Sequence, residues 1–251
     1  MRNRRDKKFL IVDALLVLVL LVLLYYGQKK GLWGITLRET SPTSSVAVSI
    51  PPSKAASSRA ASSKPAASST PVPADTDYVK VKDYIPNLYV DLKYATNENI
   101  TGHAIYNFVD AYLRYGTVKK LKQVQDELVA SGYSLKIWDA YRPMAAQAEL
   151  WKAEPDPRYI SNPKRGPSSH NLGNTVDVTI VAKGGPEIAV PSGFDNFTKK
   201  ADRDYSDVTA DEKKDALLLE NTMKKYGFKP YSGEWWHFED TQDYPYEDFE
   251  P

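Results

Sequence analysis

The stretch SSHNLGNTVDVTIV (168–181) decides how the chain folds, because it joins a polar turn to a strongly β-forming run. The run TVDVTIV (175–181) alternates and is rich in β-branched residues, and this pattern predicts a strand. Asp177 lies inside that strand, with Val176 and Val178 on the opposite face. Because burying a lone carboxylate is costly, Asp177 requires a polar partner.

Two histidines are candidates for that partner. His170 lies just upstream of the strand, across a glycine-containing turn that can bring both side chains to one point. The motif Glu234-Trp235-Trp236-His237 supplies a second histidine and a carboxylate three residues before it. Two histidines and one aspartate make a three-ligand zinc site with a fourth position left for water. Glu234 would then lie beside that water as a general base.

A structural role is the alternative for each of these residues. A single histidine is more often a surface or hydrogen-bonded core residue than a metal ligand. An aspartate in a strand is usually a cap or an ion-pair partner. Glu234 would then be a surface acid, and Trp235 and Trp236 would be core residues. Residue spacing alone leaves both interpretations open.

Helices and strands alternate around this stretch. The first predicted helix follows Thr117 as N-cap and carries on one face Val118, Leu121, Val124 and Leu128. A strand over SLKIWDAY (134–141) and a helix over 144–152 come next. A last helix begins with a Thr209–Glu212 capping box and carries Leu217, Leu218, Met223 and Tyr226. This order predicts an α+β fold with a central antiparallel sheet flanked by helices.

Composition excludes several classes of function. The 251 residues include no cysteine, which excludes disulfide scaffolds, thiolate zinc sites, iron–sulfur clusters, a cysteine nucleophile and lipid attachment at cysteine. The net charge of +1 combines 11 basic and 5 acidic side chains in residues 1–77 with 22 basic and 27 acidic ones in residues 78–251. An acidic domain is poorly suited to nucleic acid, so we expect no nucleic-acid partner.

An N-terminal membrane anchor is predicted over residues 9–26. This segment carries one charge, Asp13, and as a helix would span roughly 27 Å, close to a hydrocarbon core of about 30 Å. The basic segment 1–8 places the N-terminus in the cytoplasm and the rest of the chain outside, with membrane lipid as a partner. The alternative is a cleaved signal peptide, but the apolar run is long for one and no small-residue cleavage site follows it.

Two regions follow the predicted anchor. Residues 27–77 are predicted to be an extracytoplasmic linker, because Ser, Ala, Pro and Thr make up 27 of the 34 residues in 41–74. Such a composition buries too little apolar surface to offset the entropy of ordering the chain. Residues 78–251 are long enough for one domain with its own core.

Several motifs in this domain occur together in one known family. The family pattern S-x-H-x-x-G-x-A-x-D matches Ser168, His170, Gly173 and Asp177, with Thr175 in place of the usual alanine, and its E-x-x-H matches Glu234 and His237. The runs DLKYAT (91–96), TG (101–102), IWDAYRP (137–143) and GFDNF (193–197) match in family order. Residues 78–251 thus resemble the D-alanyl-D-alanine dipeptidase family (VanX type) of zinc D,D-peptidases. The resemblance implies the hedgehog/VanX-like zinc peptidase fold.

The resemblance also implies a role for each site residue. His170, Asp177 and His237 would bind one Zn²⁺, which polarises the scissile carbonyl and lowers the pKa of its water. Glu234 would take the proton of that water and return it to the leaving amine. Arg142 would stabilise the oxyanion.

Other candidates are substrate contacts. The resemblance suggests Ser168, Tyr94 and Asp195, of which Asp195 would meet the ammonium group of a free dipeptide. For Arg142 the alternative is a structural ion pair with Asp139, and for Tyr94 it is a place in the core. His103 has no role in the family pattern, so we expect a surface histidine there.

Three functions are consistent with the sequence. The resemblance implies hydrolysis of the D-Ala-D-Ala dipeptide to two D-Ala, and the predicted anchor would place this enzyme facing the cell wall. The second is a D,D-carboxypeptidase that removes the terminal D-Ala from peptidoglycan stem peptides, which the predicted outside location favours. The third, of another class, is an inactive cell-wall-binding module. Antibiotic resistance, wall recycling and nutrient use of D-Ala stay open as biological roles.

Overall fold

The computed structural model describes residues 71–251. The predicted cytoplasmic segment 1–8, the predicted membrane span 9–26 and all but the end of the predicted linker 27–77 lie outside the described residues. Within residues 71–251, every helix is too short or too polar to span a bilayer.

Strands and helices alternate along the described chain. The strands are β1 (Tyr78–Lys80), β2 (Tyr89–Val90), β3 (Tyr112–Arg114), β4 (Tyr133–Asp139), β5 (Thr175–Ala182), β6 (Phe228–Pro230) and β7 (His237–Asp240). The α-helices are α1 (Val81–Tyr84), α2 (Tyr115–Ala130), α3 (Met144–Ala153), α4 (Ser169–Leu172) and α5 (Ala210–Lys225). Short 3₁₀ turns occur at Lys93–Ala95, Pro163–Arg165 and Lys199–Ala201.

Five strands form one sheet in the order β2-β4-β5-β7-β6. The pairs β4–β5, β5–β7 and β7–β6 are antiparallel, as predicted, whereas β2 is parallel to β4. The sheet is therefore mixed, which corrects the prediction of a purely antiparallel sheet. The reason is the connection, because β3 and α2 lie between β2 and β4 and provide the long crossover that a parallel pair needs. Strands β1 and β3 form a separate antiparallel pair.

The two long helices cover the sheet. Helices α2 and α5 pack against each other, α2 also against β4 and α5 also against β6. The predicted apolar face of α2 is buried. Thr117 is not the N-cap, because the helix begins at Tyr115. The Thr117 hydroxyl instead donates to Asp240 Oδ2 at 2.9 Å, a tertiary bond that ties α2 to the end of β7. The predicted Thr209–Glu212 capping box begins α5 as expected.

Strand β5 lies at the centre of the sheet and of the core. All of its residues from Thr175 to Val181 are buried, so the alternation of the sequence does not mark a solvent-facing side. Val176 and Val178 belong to the main hydrophobic cluster. Asp177 is turned to the other face, where it is also buried, and that face carries the candidate site.

Candidate metal and catalytic site

Three site residues lie in one row across the sheet. Asp177 of β5 is paired in register with Asp139 of β4 on one side and with His237 of β7 on the other. The register of β4 shifts between Ile137 and Asp139, a bulge of the kind that re-aims a side chain next to an active site. Sheet pairing therefore explains why Asp177 and His237, 60 residues apart in the sequence, meet at one point.

His170 reaches the same point from helix α4, just before β5. The helix ends at Gly173, whose φ of 75° lies in the left-handed region that glycine adopts without strain. The imidazole Nδ1 lies 2.9 Å from the carbonyl oxygen of Ala140. A carbonyl accepts only from a protonated nitrogen, so this contact leaves the Nε2 lone pair free to bind a metal ion.

The two histidines and Asp177 converge with their donor atoms. His170 Nε2 lies 3.4 Å from Asp177 Oδ2 and 3.4 Å from His237 Nδ1. His237 Nδ1 lies 3.0 Å from Asp177 Oδ1, but that buried oxygen has no hydrogen-bond partner among the described residues. One donor atom from each of the three residues falls within 4.8 Å of the others. Two imidazole nitrogens and a carboxylate oxygen without a hydrogen bond suit a divalent ion such as Zn²⁺.

The electrostatics of these ligands are consistent with cation binding. Burial by itself raises the pKa of Asp177, but the neighbouring imidazoles of His170 and His237 outweigh it and hold that pKa well below the usual range. Burial lowers the pKa of His237, which Asp177 partly opposes. The aspartate is therefore ionised and His237 is inclined to be neutral, and these are the forms in which the two side chains bind metals.

Glu234 stands beside this trio. Its Oε2 lies 3.5 Å from His237 Nδ1, and the side chain is buried. Burial raises the pKa of Glu234 well above its usual range, and the charges of Asp177 and Asp195 raise it further. Three carboxyl groups thus share one site with Arg142, a surplus of negative charge that a divalent cation would relieve. A carboxylate with a raised pKa is suited to proton transfer near neutral pH.

Arg142 makes the ion pair with Asp139 and also faces the site. Its Nε and Nη2 donate to Asp139 Oδ2 at 3.0 and 2.7 Å, and Nη1 donates to Gln147 Oε1 at 2.9 Å. Nη2 lies 3.8 Å from Asp177 Oδ2. Three of its five N–H groups are thus occupied, and two remain for another acceptor. The ion pair with Asp139 therefore orients the guanidinium and leaves two of its N–H groups available.

The three candidate substrate contacts differ in whether their polar atoms are already hydrogen-bonded to other residues. Asp195 is half-buried, with a φ of 54°, which is unusual for a residue other than glycine. Burial raises the pKa of Asp195 to about 7, with Arg142 opposing the shift and Asp177 adding to it. Its Oδ1 accepts a hydrogen bond from Tyr94 at 3.1 Å, so the buried Tyr94 belongs to both the core and the site. Ser168 Oγ lies 2.8 Å from Asn171 Oδ1, which makes it part of the start of α4.

All eight candidates line a single cavity. Its walls contain His170, Asp177, His237, Glu234, Arg142, Ser168, Tyr94 and Asp195, together with Tyr159, Ile160, Ser161, Ser169, Phe197 and Trp236. The rings of Tyr159 and Phe197 stack with their centroids 4.2 Å apart and form an aromatic part of the wall. His103, by contrast, is exposed, as expected. Trp235 is a core residue that donates from Nε1 to Ser192 Oγ at 3.0 Å.

Two supporting residues are absent from the sequence predictions. Tyr106 donates to Asp139 Oδ1 at 2.6 Å, which fixes the carboxylate that orients Arg142. Gln147 of α3 accepts from Arg142 and donates from Nε2 to the carbonyl oxygen of Ser161 at 2.8 Å. Neither residue lies in a recognisable motif. Tyr106 is 33 residues from Asp139, and Gln147 is five residues from Arg142, but no pattern of the sequence marks either contact. Only the fold brings them to Asp139 and Arg142.

The arrangement is that of a metal-dependent hydrolase. It combines three side chains that could hold a metal ion, a buried carboxylate able to accept a proton, and a guanidinium with spare donors on the same cavity. These groups supply a site for a Lewis acid, a general base and charge stabilisation, the parts that hydrolysis of an amide bond requires.

Comparison with known proteins specifies the class further. The family profile described as D-Ala-D-Ala dipeptidase, of peptidase family M15, matches residues 74–250. A D-alanyl-D-alanine dipeptidase of Escherichia coli is 37% identical over 164 residues, which cover 65% of this chain and 84% of that protein. One from Enterococcus faecalis is 30% identical over 178 residues, covering 63% and 88%. The chain therefore belongs to the D-Ala-D-Ala dipeptidase family, and it is a zinc metallopeptidase.

Solved structures also include a distant match. A vancomycin resistance D,D-pentapeptidase VanY in complex with Zn(II) aligns with a TM-score of 0.34 and 18% identity, and the alignment covers 53% of this chain and 74% of that one.

Proposed function

We propose that this protein hydrolyses the free dipeptide D-Ala-D-Ala to two D-Ala. The observation that carries the proposal is the convergence of all eight candidate residues, which come from separate segments of the chain, on one cavity. Relatives with 37% and 30% identity are named as D-alanyl-D-alanine dipeptidases, and they support the choice of substrate.

One zinc ion would be held by His170, Asp177 and His237. The buried Asp177 Oδ1, which has no hydrogen bond to any residue from 71 to 251, and the Nε2 lone pair of His170 are the donors that such an ion needs. When bound, zinc polarises the scissile carbonyl and makes a water more acidic. The remaining steps belong to side chains of the chain itself.

Glu234 acts as the general base. It takes a proton from the attacking water and returns that proton to the leaving amine, so that it is regenerated at the end of the reaction. Its pKa, raised by burial and by Asp177 and Asp195, suits it to hold the proton between these two transfers. Its distance of 3.5 Å from His237 Nδ1 keeps the carboxylate beside the proposed metal ligands.

Arg142 stabilises the negative charge that develops on the carbonyl oxygen. The two N–H groups left over by Asp139 and Gln147 are the donors for this oxygen. Because Asp139 fixes the guanidinium before substrate arrives, little reorganisation is required in the transition state.

Asp195 determines that the substrate is a dipeptide with a free amino group. Its half-buried carboxylate has no cationic partner in hydrogen-bond distance among the described residues, and removal from water raises its pKa to about 7. An ammonium group beside Asp195 would supply the missing positive charge and bring the pKa back down. An acylated peptide, which has no ammonium group there, would leave the carboxylate unpaired.

A D,D-carboxypeptidase acting on stem peptides is the second candidate. A specific feature favours it, since a second groove adjoins the cavity and shares Glu234 and His237 with it. The groove is also lined by Arg158, Lys229 and Tyr231, cationic and aromatic groups that would suit a longer peptide with carboxylates. Asp195 does not line this groove.

One experiment separates these functions. The full chain, loaded with zinc, is incubated with D-Ala-D-Ala, with N-acetyl-D-Ala-D-Ala and with a stem pentapeptide ending in D-Ala-D-Ala, and released D-Ala is quantified. Cleavage of the free dipeptide alone supports the proposal. Cleavage of the pentapeptide and the acetylated substrate would replace it with the carboxypeptidase. Release from none of them, with zinc bound, would favour an inactive wall-binding module.

We also propose that residues 9–26 anchor the protein in the membrane, with the N-terminus in the cytoplasm and the catalytic domain outside. The apolar run and the preceding basic residues support this topology. Reporter fusions at the C-terminus test it: a reporter active only outside the cytoplasm should give signal, and a signal restricted to a cytoplasmic reporter would overturn the orientation.

A further inference from the structure

The turn between the proposed ligands His170 and Asp177 is held by residues on the side away from the cavity. Three successive carbonyl oxygens of this turn each accept a hydrogen bond from outside it. Tyr78 Oη donates to Asn171 O at 3.3 Å, Arg114 Nε donates to Leu172 O at 2.9 Å, and the backbone N–H of Arg114 donates to Gly173 O at 2.9 Å. Two residues outside the turn therefore fix its backbone along its whole middle part.

Arg114 is fully buried, yet it does not line the catalytic cavity. Its guanidinium carbon lies 3.9 Å from the ring centroid of Tyr78, and Nη1 donates to Thr76 O at 2.6 Å. Nη1 also donates to Glu247 Oε2 at 2.8 Å, and Nη2 donates to Pro245 O at 2.8 Å. Because a buried cation is costly without a counter-charge, the contribution of Glu247 matters here.

Two of these partners, Glu247 and Pro245, belong to the C-terminal tail (residues 245–251). Within the tail, the ring of Phe249 stacks on Tyr78 with centroids 4.3 Å apart and an interplanar angle of 11°. The Tyr141 hydroxyl donates to Phe249 O at 2.8 Å and lies 3.2 Å from Phe249 N, whose N–H donates to it. Tyr141 directly precedes Arg142. The tail thus contacts the supports of both the metal-ligand turn and the catalytic arginine.

We propose that Arg114 is a positioning residue and that the C-terminal tail holds it in place, so that His170 and Asp177 keep the separation that metal binding needs. This inference rests on the proposed metal site. Arg114 acts through the backbone of residues 171–173 and touches neither substrate nor metal. Loss of the tail contacts would therefore weaken metal binding without changing any residue of the cavity.

Metal affinity, measured on the full chain, tests the inference. Zinc dissociation constants are determined by competition with a chelator, and the absorption spectrum of the Co²⁺-substituted protein reports the ligand geometry. Arg114→Gln, Glu247→Gln and Phe249→Ala are each expected to weaken zinc binding about tenfold or more, the effect typical of residues that orient ligands. Turnover lost at low zinc should return at saturating zinc, which a merely misfolded variant would not show.

Glu250→Ala is the matched control, because Glu250 is an exposed acid of the same tail. It should bind zinc as the unmodified chain does. If Arg114→Gln does not fold, Glu247→Gln and Phe249→Ala decide the question. Wild-type zinc affinity and an unchanged Co²⁺ spectrum in those two folded variants would overturn the inference. If His237→Ala retains full zinc occupancy, the proposed metal site itself is wrong, and this outcome is distinct from failure of the tail variants.

Discussion

The two buried arginines of this domain occupy regions with opposite chemistry. Behind the turn, Arg114 uses four of its five N–H groups and lies on the ring of Tyr78. In the cavity, Arg142 uses three. Its neighbour Asp177 has an oxygen without a hydrogen bond in the described part of the chain, and burial raises the pKa of its other neighbour, Asp195. Buried polar groups that support the fold thus form nearly all of their hydrogen bonds. Those at the place where a ligand is expected to bind leave some hydrogen bonds unformed.

This difference explains how a buried polar cluster can be both stable and reactive. Arg142, which has N–H groups left over, is held by Asp139, and Tyr106 fixes Asp139 in turn through a 2.6 Å hydrogen bond. Within this cluster, the cost of unmet hydrogen bonds and unpaired charge therefore falls on atoms that face the cavity. Outside the cluster, Thr179 Oγ1 is another buried atom without a hydrogen bond among the described residues. Substitutions on the two sides should then have different signatures, in turnover on one side and in stability or metal affinity on the other.

The largest effect is expected at Glu234. Glu234→Gln keeps the shape of the side chain but cannot accept a proton, so turnover of D-Ala-D-Ala should fall about 10²–10⁴-fold, the usual contribution of a general base. Zinc content should stay at one ion per chain, as measured by atomic absorption. His237→Ala is the comparison variant, since it should lose both turnover and zinc. Near-normal turnover in Glu234→Gln would remove Glu234 from its role as base.

The next largest effect is expected at Arg142. Arg142→Lys keeps one charge but cannot bind Asp139 through two nitrogens and still direct donors into the cavity. We expect kcat to fall about 10²–10³-fold with a small change in KM, as for loss of an oxyanion donor. Arg114→Lys, assayed at saturating zinc, should keep most of its kcat. Equal losses of kcat in the two variants would contradict the distinction between the two regions.

Substitution of Asp195 should increase the stability of the folded state and decrease activity. Because burial raises its pKa to about 7, ionisation of Asp195 destabilises the folded state, and this cost grows as pH rises from the ordinary aspartate range through about 7. Asp195→Asn should therefore raise the melting temperature of the metal-free protein more at pH 8 than at pH 5. It should also lower kcat/KM for D-Ala-D-Ala, since the ammonium group loses its counter-charge.

The pH dependence of binding provides a second measurement on the same residue. In the unmodified protein, KM for D-Ala-D-Ala should rise as pH falls below about 7, because protonated Asp195 no longer attracts the ammonium group. That rise should be absent in Asp195→Asn. An equal gain in melting temperature at both pH values, together with an unchanged KM profile, would show that Asp195 is an ordinary buried polar residue.

The sequence was sufficient to predict the parts of the domain that rest on local pattern. The strand over TVDVTIV, the helix behind Thr209 and the position of His103 at the surface follow from short-range signals, and the structure agrees. Family motifs identified the class of enzyme, which the family match confirms. The roles of the individual site residues, and the membrane anchor, remain predictions.

Long-range contacts account for what the sequence could not predict. Thr117 has the local pattern of an N-cap, but its hydroxyl bonds Asp240, more than 100 residues away. The parallel pairing of β2 depends on a crossover, and two-residue strands carry no pattern of their own. Arg114 has partners that only the folded chain brings near. Gln147 is five residues from Arg142, but no sequence pattern marks their contact, so neither residue could be recognised as a support for the site.

The smallest expected effect separates two glycines, one within the turn between the proposed ligands His170 and Asp177 and one remote from it. Gly173 and Gly132 both have positive φ, 75° and 87°, so alanine at either position should cost about 1–2 kcal/mol of backbone strain. At Gly132 an added Cβ meets no atom within 4 Å in the described residues, whereas at Gly173 it would overlap Cε1 of Tyr78. Gly173→Ala must therefore also displace the ring that supports Arg114 and the turn.

Urea unfolding of the two alanine variants measures this difference. Gly132→Ala should lose stability only, with zinc affinity unchanged. Gly173→Ala should lose more stability and should also bind zinc more weakly, because displacement of Tyr78 releases the carbonyl of Asn171 next to His170. If the two variants lose equal stability and bind zinc equally well, the ring of Tyr78 can move without disturbing the turn. The saturated contacts behind the site would then be packing alone, without influence on the metal ligands.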